Sequence, residues 1–295
     1  MQSYAECPQV LRDFLSYHES IKGQSRRTVE EYHLDLRMFF RFLTLMRREL
    51  PYNTPLDSID IKWIDAAVLN TVTSSEIFDF LSYLANDRQN REGPNDAGIA
   101  AASRARKLSA IKALYKYLTV STKQISNNPV KDIEFPKIRR SLPKYLTLEE
   151  STALLKAVDG PNKNRDFAIL MLFLNCGIRR SELVGLNLTD VYEDRIRVVG
   201  KGNKERVLFL NEACQQALQD WLTERNMLAL IDKEALLITH QNRRRISRAA
   251  VHKLVKKHLA ASGLDSTQYS AHKLRHTAAT LMLQNGVDVR TLQEV

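Results

Sequence analysis

The stretch from residue 127 to residue 144 most constrains the fold, because it divides the chain in two. It reads NNPVKDIEFPKIRRSLPK, and its three prolines disfavour a regular helix while its basic residues outnumber its acidic ones. A chain of 295 residues is long enough for two domains that each have their own core. We therefore predict one domain over residues 1–128, an extended basic linker over residues 129–144 and a second domain over residues 145–295.

The first domain is predicted to be helical. Thr28 with Glu31, and Thr73 with Glu76, have capping-box spacing, and each pair precedes apolar residues at helical intervals. A third helix is predicted over residues 100–119, where Arg106 and Lys112 lie opposite the apolar face. This basic side is either a DNA-facing stripe or an ordinary solvated helix face.

The second domain is predicted to combine helices with a small sheet. Thr147 and Glu150 again have capping-box spacing, and a later apolar helix is expected to end at Gly177. Residues 195–210 read RIRVVGKGNKERVLFL, in which β-branched residues flank a Gly-Lys-Gly-Asn turn, and this pattern predicts a β-hairpin with Lys201 at its tip. The fold class is therefore mainly α with a small β-sheet, in two domains.

Composition limits the function classes without selecting one. The 44 Lys and Arg residues exceed the 34 Asp and Glu residues, and the resulting charge of +10 favours a polyanionic partner without requiring one. Cys7, Cys176 and Cys214 form no CxxC pair, so neither a zinc site nor a disulfide framework is predicted, and a cytoplasmic location is expected. The sequence contains no apolar run long enough for a membrane span, and no membrane partner is expected.

Three short motifs carry the chemistry, although each alone is unspecific. They are GIRRSEL at residues 177–183, VVGKGNKER at residues 198–206 and HKLRH at residues 272–276. Taken singly, Arg179 with Glu182 is typical of a surface ion pair. A lysine in a glycine-flanked turn is usually only exposed, and HxxRH without a third ligand is a poor metal site.

In this order, behind a basic helical domain, the motifs resemble the tyrosine recombinase and integrase family, in particular the bacterial Xer-type recombinases. The resemblance covers nearly the whole chain. It implies a helical, SAM-like core-binding domain followed by an α+β catalytic domain of the tyrosine recombinase type. It also implies the catalytic residues Arg179, Lys201, His272 and Arg275, with Glu182 and His276 in supporting positions.

The reaction of this family explains these residue types. Attack on a phosphodiester increases the negative charge on its oxygens, and two guanidinium groups, those of Arg179 and Arg275, can bind and stabilise that charge. The resemblance makes Lys201 the general acid for the leaving oxygen, while His272 would bond the phosphate or transfer a proton. No metal or other cofactor is expected.

One family feature has no counterpart in this sequence. In the family, a second histidine and the nucleophilic tyrosine follow the HxxR pair, whereas all ten tyrosines here precede His272. Tyr269, the last of them, is interpreted as a packing residue. We therefore expect a chain that is cut short, binds DNA without cleaving it and assembles only weakly, because the same segment docks protomers together.

The expected partners are a double-stranded DNA recombination site and other recombinase protomers in a homo- or hetero-tetramer. Alternatives are a phage or transposon integrase, and a DNA-binding protein that occupies recombination sites without chemistry. Predicted DNA contacts lie on the third helix, in the linker and around a helix start near Ser247. They are Arg106, Lys107, Lys112, Arg139, Arg140, Arg243, Arg244, Arg245, Ser247 and Arg248.

Overall fold

The computed structural model describes residues 4–86, 98–138, 144–200, 202 and 204–286. The chain divides into two compact units, Met1–Arg140 and Ser141–Val295, and the division falls within the proline-interrupted stretch. Both units are mainly helical in their described parts, and the paired strands lie in the second unit. The predicted fold class, mainly α with a small sheet, is confirmed.

The described part of the first unit contains five α-helices: α1 (Gln9–Ser16), α2 (Arg26–Arg47), α3 (Ala66–Asn70), α4 (Ser74–Asn86) and α5 (Ala101–Lys116). Short π-helical turns follow α1 and α5 at Tyr17–Ile21 and Tyr117–Ser121. Helix α2 is central, because it packs against α1, α4 and α5. Its side chains Phe39 and Phe40 are fully buried, as is Phe80 on α4.

The helix starts in this unit follow their capping residues. The Thr73–Glu76 capping box is confirmed, since the Glu76 carboxylate accepts from the Thr73 backbone N–H at 2.9 Å and the Thr73 hydroxyl accepts from the Glu76 backbone N–H at 3.3 Å. A helix does start near Thr28, but the predicted cap at Thr28 is wrong. Ser25 caps this helix by accepting from the Thr28 backbone N–H at 3.3 Å, so the helix begins at Arg26, with Thr28 inside the first turn.

The described part of the second unit contains six α-helices: α6 (Leu148–Lys156), α7 (Lys163–Cys176), α8 (Arg180–Gly185), α9 (Glu212–Asn226), α10 (Arg248–Ala261) and α11 (Ala271–Gln284). The predicted Thr147–Glu150 capping box of α6 is present. Helix α7 is central, and all its residues from 168 to 174 are buried against α6, α9 and α11. No helix in the described ranges has the length and apolarity needed to cross a membrane.

The predicted hairpin is present as strands β1 (Arg195–Val199) and β2 (Glu205–Phe209), which pair antiparallel. The alternation of the strands places Ile196, Val198 and Leu208 in the core, and leaves Phe209 exposed. Lys201, at the predicted tip, lies outside the described residues. Its neighbour Gly200 donates its backbone N–H to the Lys204 carbonyl at 2.7 Å, which closes the base of the turn.

Candidate functional site

Arg179 is positioned by the end of one helix and the start of the next. Gly177 ends α7 with a left-handed backbone (φ 58°), a conformation that glycine adopts without a steric penalty. Arg179 is extended and directly precedes α8. The Arg179 backbone N–H donates to the Glu182 carboxylate at 2.9 Å, and Arg179 Nη1 donates to the same carboxylate at 2.8 Å. About half of the Arg179 side chain remains exposed (51%).

Glu182 is a buried acceptor rather than half of a surface ion pair. Arg206, on β2, donates Nη1 to Glu182 Oε1 and Nη2 to Oε2, both at 2.8 Å. Burial alone would raise the pKa of the Glu182 carboxyl, but the hydrogen bonds from Arg206 and Arg179 lower it to about 2. The carboxylate is therefore ionised at neutral pH and fixes the backbone of Arg179 as well as its side chain.

Helix α11 supplies the HxxR pair. Arg275 is half-buried and donates Nη1 to the Gly177 carbonyl, which joins α11 to the turn that carries Arg179. Burial lowers the pKa of the Arg275 guanidinium, and the charges of Arg179 and Arg206 lower it further. Guanidinium groups nevertheless stay protonated in proteins, so this cluster is strongly cationic. The guanidinium groups of Arg179, Arg206 and Arg275 outnumber the nearby Glu182 carboxylate.

His272 lies one helical turn before His276, and the two exposed rings are hydrogen-bonded through their Nε2 atoms at 3.0 Å. Burial lowers the pKa of the His272 imidazole, and the nearby His276 and Arg275 lower it further. His272 is therefore mainly neutral at pH 7, able to accept a proton or donate one hydrogen bond. His276 contacts His272 rather than the core.

A single cleft of about 540 Å³ brings three of the four predicted catalytic residues together. Its lining consists of Ile178, Arg179, Arg180, Ser181, Arg248, His252, Ser270, Ala271, His272 and Arg275. The predicted fourth, Lys201, lies outside the described residues. Sequence reasoning missed His252, which no motif marks, and Arg206, which stands at the end of the VVGKGNKER motif.

The predicted DNA contacts on α5 differ in their positions. Lys107 is buried, and its ammonium pairs with the buried Asp35 at 2.7 Å, so we assign it to the fold rather than to DNA. Arg106 is half-exposed and pairs with Glu31 at 2.5 Å and with Asp35 at 2.6 Å. Lys112 lies 5.3 Å from the centre of the Phe135 ring. The linker candidates Arg139 and Arg140 lie outside the described residues.

The predicted DNA contacts around the start of α10 also differ in exposure. Arg244 and Arg248 are exposed, and Ser247 caps α10 by accepting from the Ala250 backbone N–H at 3.1 Å. Arg245 turns inward and donates to the carbonyls of Val184 and Leu186 at 3.0 and 2.9 Å, which assigns it to the fold. Arg243 is partly buried and has a left-handed backbone (φ 54°).

One group of described side chains has metal-ligating chemistry. The ligand atoms of Glu6, Cys7 and His33 lie within 4.8 Å of one another in the first unit. The Glu6 carboxylate is already paired with Arg37 at 2.5 Å, and burial raises the pKa of the Cys7 thiol to about 11. Because the carboxylate has a cationic partner and the thiol is protonated, we assign no metal to this group.

The phage integrase family matches residues 144–295, slightly more than half of the chain. Tyrosine recombinase XerC of Caldanaerobacter subterraneus subsp. tengcongensis is 45% identical over 289 residues, covering 98% of this chain and 79% of the relative. Tyrosine recombinase XerC of Thermodesulfovibrio yellowstonii is 31% identical over 297 residues, covering 97% and 86%.

Solved structures share the fold at lower identity. The XerH recombinase bound to its difH substrate before cleavage is 20% identical, with a TM-score of 0.66 over 96% of this chain and 76% of that one. A lambda integrase tetramer bound to a Holliday junction is 18% identical, with a TM-score of 0.66 over 99% and 78%. The similarity of sequence and fold extends over both units. The chain therefore belongs to the phage integrase family and is a tyrosine recombinase of the Xer type.

Proposed function

We propose that this chain acts in site-specific DNA recombination by binding a double-stranded recombination site, and that Arg179, His272 and Arg275 hold the phosphate at which strands are exchanged. The observation that carries the proposal is the shared cleft, which collects these three side chains from two separate motifs. The XerH structure captured with difH DNA and the lambda integrase tetramer on a Holliday junction support the same class of partner.

The cleft suits a phosphodiester because its charge is built from guanidinium groups. Arg179 and Arg275 offer planar donors that match phosphate oxygens, and they remain charged at any physiological pH. Cleavage by a deprotonated oxygen would add a second negative charge to the phosphate, and donors fixed before the reaction stabilise that charge most effectively. Neutral His272 is suited to bonding a phosphate oxygen or accepting a proton. Lys201 is proposed as the general acid from its motif alone.

We further propose that Tyr269 is a packing residue and does not act as the nucleophile that forms a phosphotyrosyl bond. Tyr269, three residues before His272, is partly buried and packs against the core, with Lys273 Nζ 6.0 Å from its ring centre. A phosphorothiolate-nicked duplex tests this. On a native gel the wild type and Tyr269→Phe should give the same band shift, and on a denaturing gel the substitution should not change the amount of SDS-resistant adduct. An adduct that disappears in Tyr269→Phe would overturn the proposal.

We propose assembly with other recombinase protomers, either identical or different, on the DNA site. The support is the lambda integrase tetramer on a Holliday junction, whose fold this chain shares. Multi-angle light scattering of the DNA-bound chain measures the number of protomers on a duplex. One protomer per complex at every protein concentration would contradict the assembly.

The phosphate contact can be tested without any cleavage. A binding site is first selected from random duplexes with the wild-type chain, and each phosphate of that site is then replaced in turn by an uncharged methylphosphonate. We expect the Kd to rise about tenfold when the one phosphate that lies in the cleft is replaced, because the replacement removes a charge-assisted hydrogen bond. In Arg179→Gln and Arg275→Gln, the Kd values for the unmodified and the methylphosphonate duplex should differ much less. These variants lack a guanidinium that binds the charged phosphate.

The control is Arg195→Gln, which removes an exposed guanidinium that pairs with Asp194 on β1, outside the cleft. In this variant, the ratio of the Kd for the methylphosphonate duplex to the Kd for the unmodified duplex should equal the wild-type ratio. If Arg179→Gln and Arg275→Gln both keep the wild-type ratio, the proposed site is contradicted.

A further inference from the structure

Arg206 belongs to the Glu182 network but lies outside the residues assigned to the phosphate. Its side chain is 17% exposed, against 51% for Arg179, and the Glu182 side chain between them is 2% exposed. Each Glu182 oxygen accepts two of the hydrogen bonds described above: Oε1 accepts from Arg179 Nη1 and Arg206 Nη1, and Oε2 accepts from the Arg179 backbone N–H and Arg206 Nη2. The acceptor capacity of the carboxylate is therefore filled.

We infer that Arg206 is a positioning residue for the phosphate cleft, because it occupies the Glu182 carboxylate and thereby leaves the other guanidinium donors of Arg179 available to bind phosphate. The inference rests on the proposed function and adds a residue to it. Arg206 acts through Glu182 and Arg179, and touches neither the phosphate nor the reacting oxygens.

The geometry of the carboxylate gives the physical reason. A buried carboxylate attracts a guanidinium into a two-pronged pair, in which two parallel N–H groups meet two oxygens. Arg206 makes this pair from the inner side. Arg179 already donates Nη1 to Glu182, and without Arg206 a second guanidinium nitrogen of Arg179 would turn from the cleft toward the carboxylate. Phosphate would then have to displace a two-pronged ion pair rather than a single hydrogen bond before binding.

Charge leads to the same conclusion. The guanidinium groups of Arg179, Arg206 and Arg275 outnumber the Glu182 carboxylate, and two further arginines line the cleft. Neutralising Arg206 removes one positive charge from beside Glu182, so less positive charge remains to stabilise the phosphate as its negative charge grows.

Arg206 also lies beside Gly200, which follows the last residue of β1. Gly200, which directly precedes Lys201 in sequence, lies against this ion pair: a Cβ at Gly200 would lie 3.5 Å from Glu182 Oε1 and 3.5 Å from Arg206 Nη1. The Arg206–Glu182 pair thus connects β2 of the hairpin to α8 beside Arg179. One ion pair sets the position of both elements.

A role limited to folding is the alternative, because a buried ion pair that loses one partner lowers stability by itself. The two roles differ in one measurable quantity, the ratio of the Kd for the methylphosphonate duplex to the Kd for the unmodified duplex. Loss of stability changes the amount of folded protein and so weakens binding to both duplexes equally. Loss of positioning lowers the ratio.

The test compares Arg206→Gln, Arg206→Lys and the double variant Glu182→Gln with Arg206→Gln. The matched control is Arg197→Gln on the same hairpin, where Arg197 pairs with Asp190 through Nε at 3.1 Å and Nη2 at 2.8 Å. Thermal unfolding establishes that each variant is folded at the temperature of the binding assay. The duplex carries the methylphosphonate at the position found with the wild-type chain.

We expect the ratio to fall from about tenfold in the wild type to about twofold in Arg206→Gln. Arg206→Lys should lie between these values, because a lysine keeps the charge but not the two-pronged geometry. The ratio in the double variant should be larger than in Arg206→Gln, because the neutral amide introduced by Glu182→Gln does not form an ion pair with Arg179. Arg197→Gln should keep the wild-type ratio.

A wild-type ratio in Arg206→Gln would overturn the inference and leave a folding role. If Arg206→Gln does not fold, the same conclusion follows from a wild-type ratio in Arg206→Lys, which retains the charge. A wild-type chain that shows no sensitivity at any phosphate contradicts the proposed function instead, so the two failures are distinguishable.

Discussion

The Glu182 carboxyl group contributes to stability as well as to the site. Its pKa in the folded chain, about 2, lies below its usual value of 4.5, so the ionised form stabilises the folded state above pH 4.5 and this contribution is lost as the pH falls through the folded value. Glu182→Gln should lower the free energy of unfolding by on the order of 2 to 3 kcal/mol at pH 7. Urea unfolding of both proteins should show this gap narrowing at acidic pH. A constant gap would contradict the prediction.

The His272 imidazole is expected to make DNA binding depend on pH. Its pKa is lowered in the free chain, and a bound phosphate would raise it, so binding takes up a proton. As the pH falls from about 8 to about 6, the affinity for the selected duplex should increase in the wild type. This fold-increase should be about five times that of His272→Gln. His240→Gln is the control, since His240 pairs with Glu224 away from the cleft. Equal pH profiles for wild type and His272→Gln would exclude this role.

Lys107 gives a contrasting prediction. Replacing it by methionine keeps the apolar stem but removes the charge that faces the buried Asp35 at 2.7 Å. We expect Lys107→Met to lower the free energy of unfolding by about 2 kcal/mol, since Arg106 still pairs with Asp35. The salt dependence of DNA binding by the folded variant should be that of the wild type, and a flatter dependence would restore Lys107 as a phosphate contact.

Two kinds of arginine lie at and just before the start of α10. Exposed Arg248 lines the cleft at the start of the helix and Arg244 is exposed nearby, whereas Arg245 bonds two carbonyls of the protein. Replacing Arg244 and Arg248 with glutamine should flatten the slope of log Kd against log salt by about 0.9 for each phosphate that loses its cationic partner. Arg245→Gln should instead lower the melting temperature. An unchanged slope in the double variant would remove α10 from the DNA contacts.

Local sequence signals predicted the elements well where the determining interaction is itself local. The capping boxes at Thr73 and Thr147 join residues three apart, and β1 pairs with β2, which follows it directly along the chain. The predicted cap of α2 was wrong because Ser25 and Thr28 are both residues that can cap a helix, and spacing alone does not choose between them. The inward turn of Arg245 depends on α8 and the residues after it, which are far away in sequence.

At the scale of the whole molecule, the family motifs identified the candidate site more completely than the residues taken singly. Arg179, His272 and Arg275 are separated by up to 96 positions in sequence and share one cleft. The role of Arg206 was not predictable, because its partner Glu182 is 24 residues away and its burial follows from packing of the hairpin against α8. Long-range ion pairs of this kind require tertiary structure.

A crystal structure of this chain on its selected duplex would show directly whether the cleft between α8 and α11 binds a DNA phosphate. We predict a phosphate whose oxygens lie about 2.7 to 3.1 Å from guanidinium nitrogens of both Arg179 and Arg275. We also predict that Arg206 remains paired with Glu182. DNA bound to another surface, with the cleft free of phosphate, would contradict the claim.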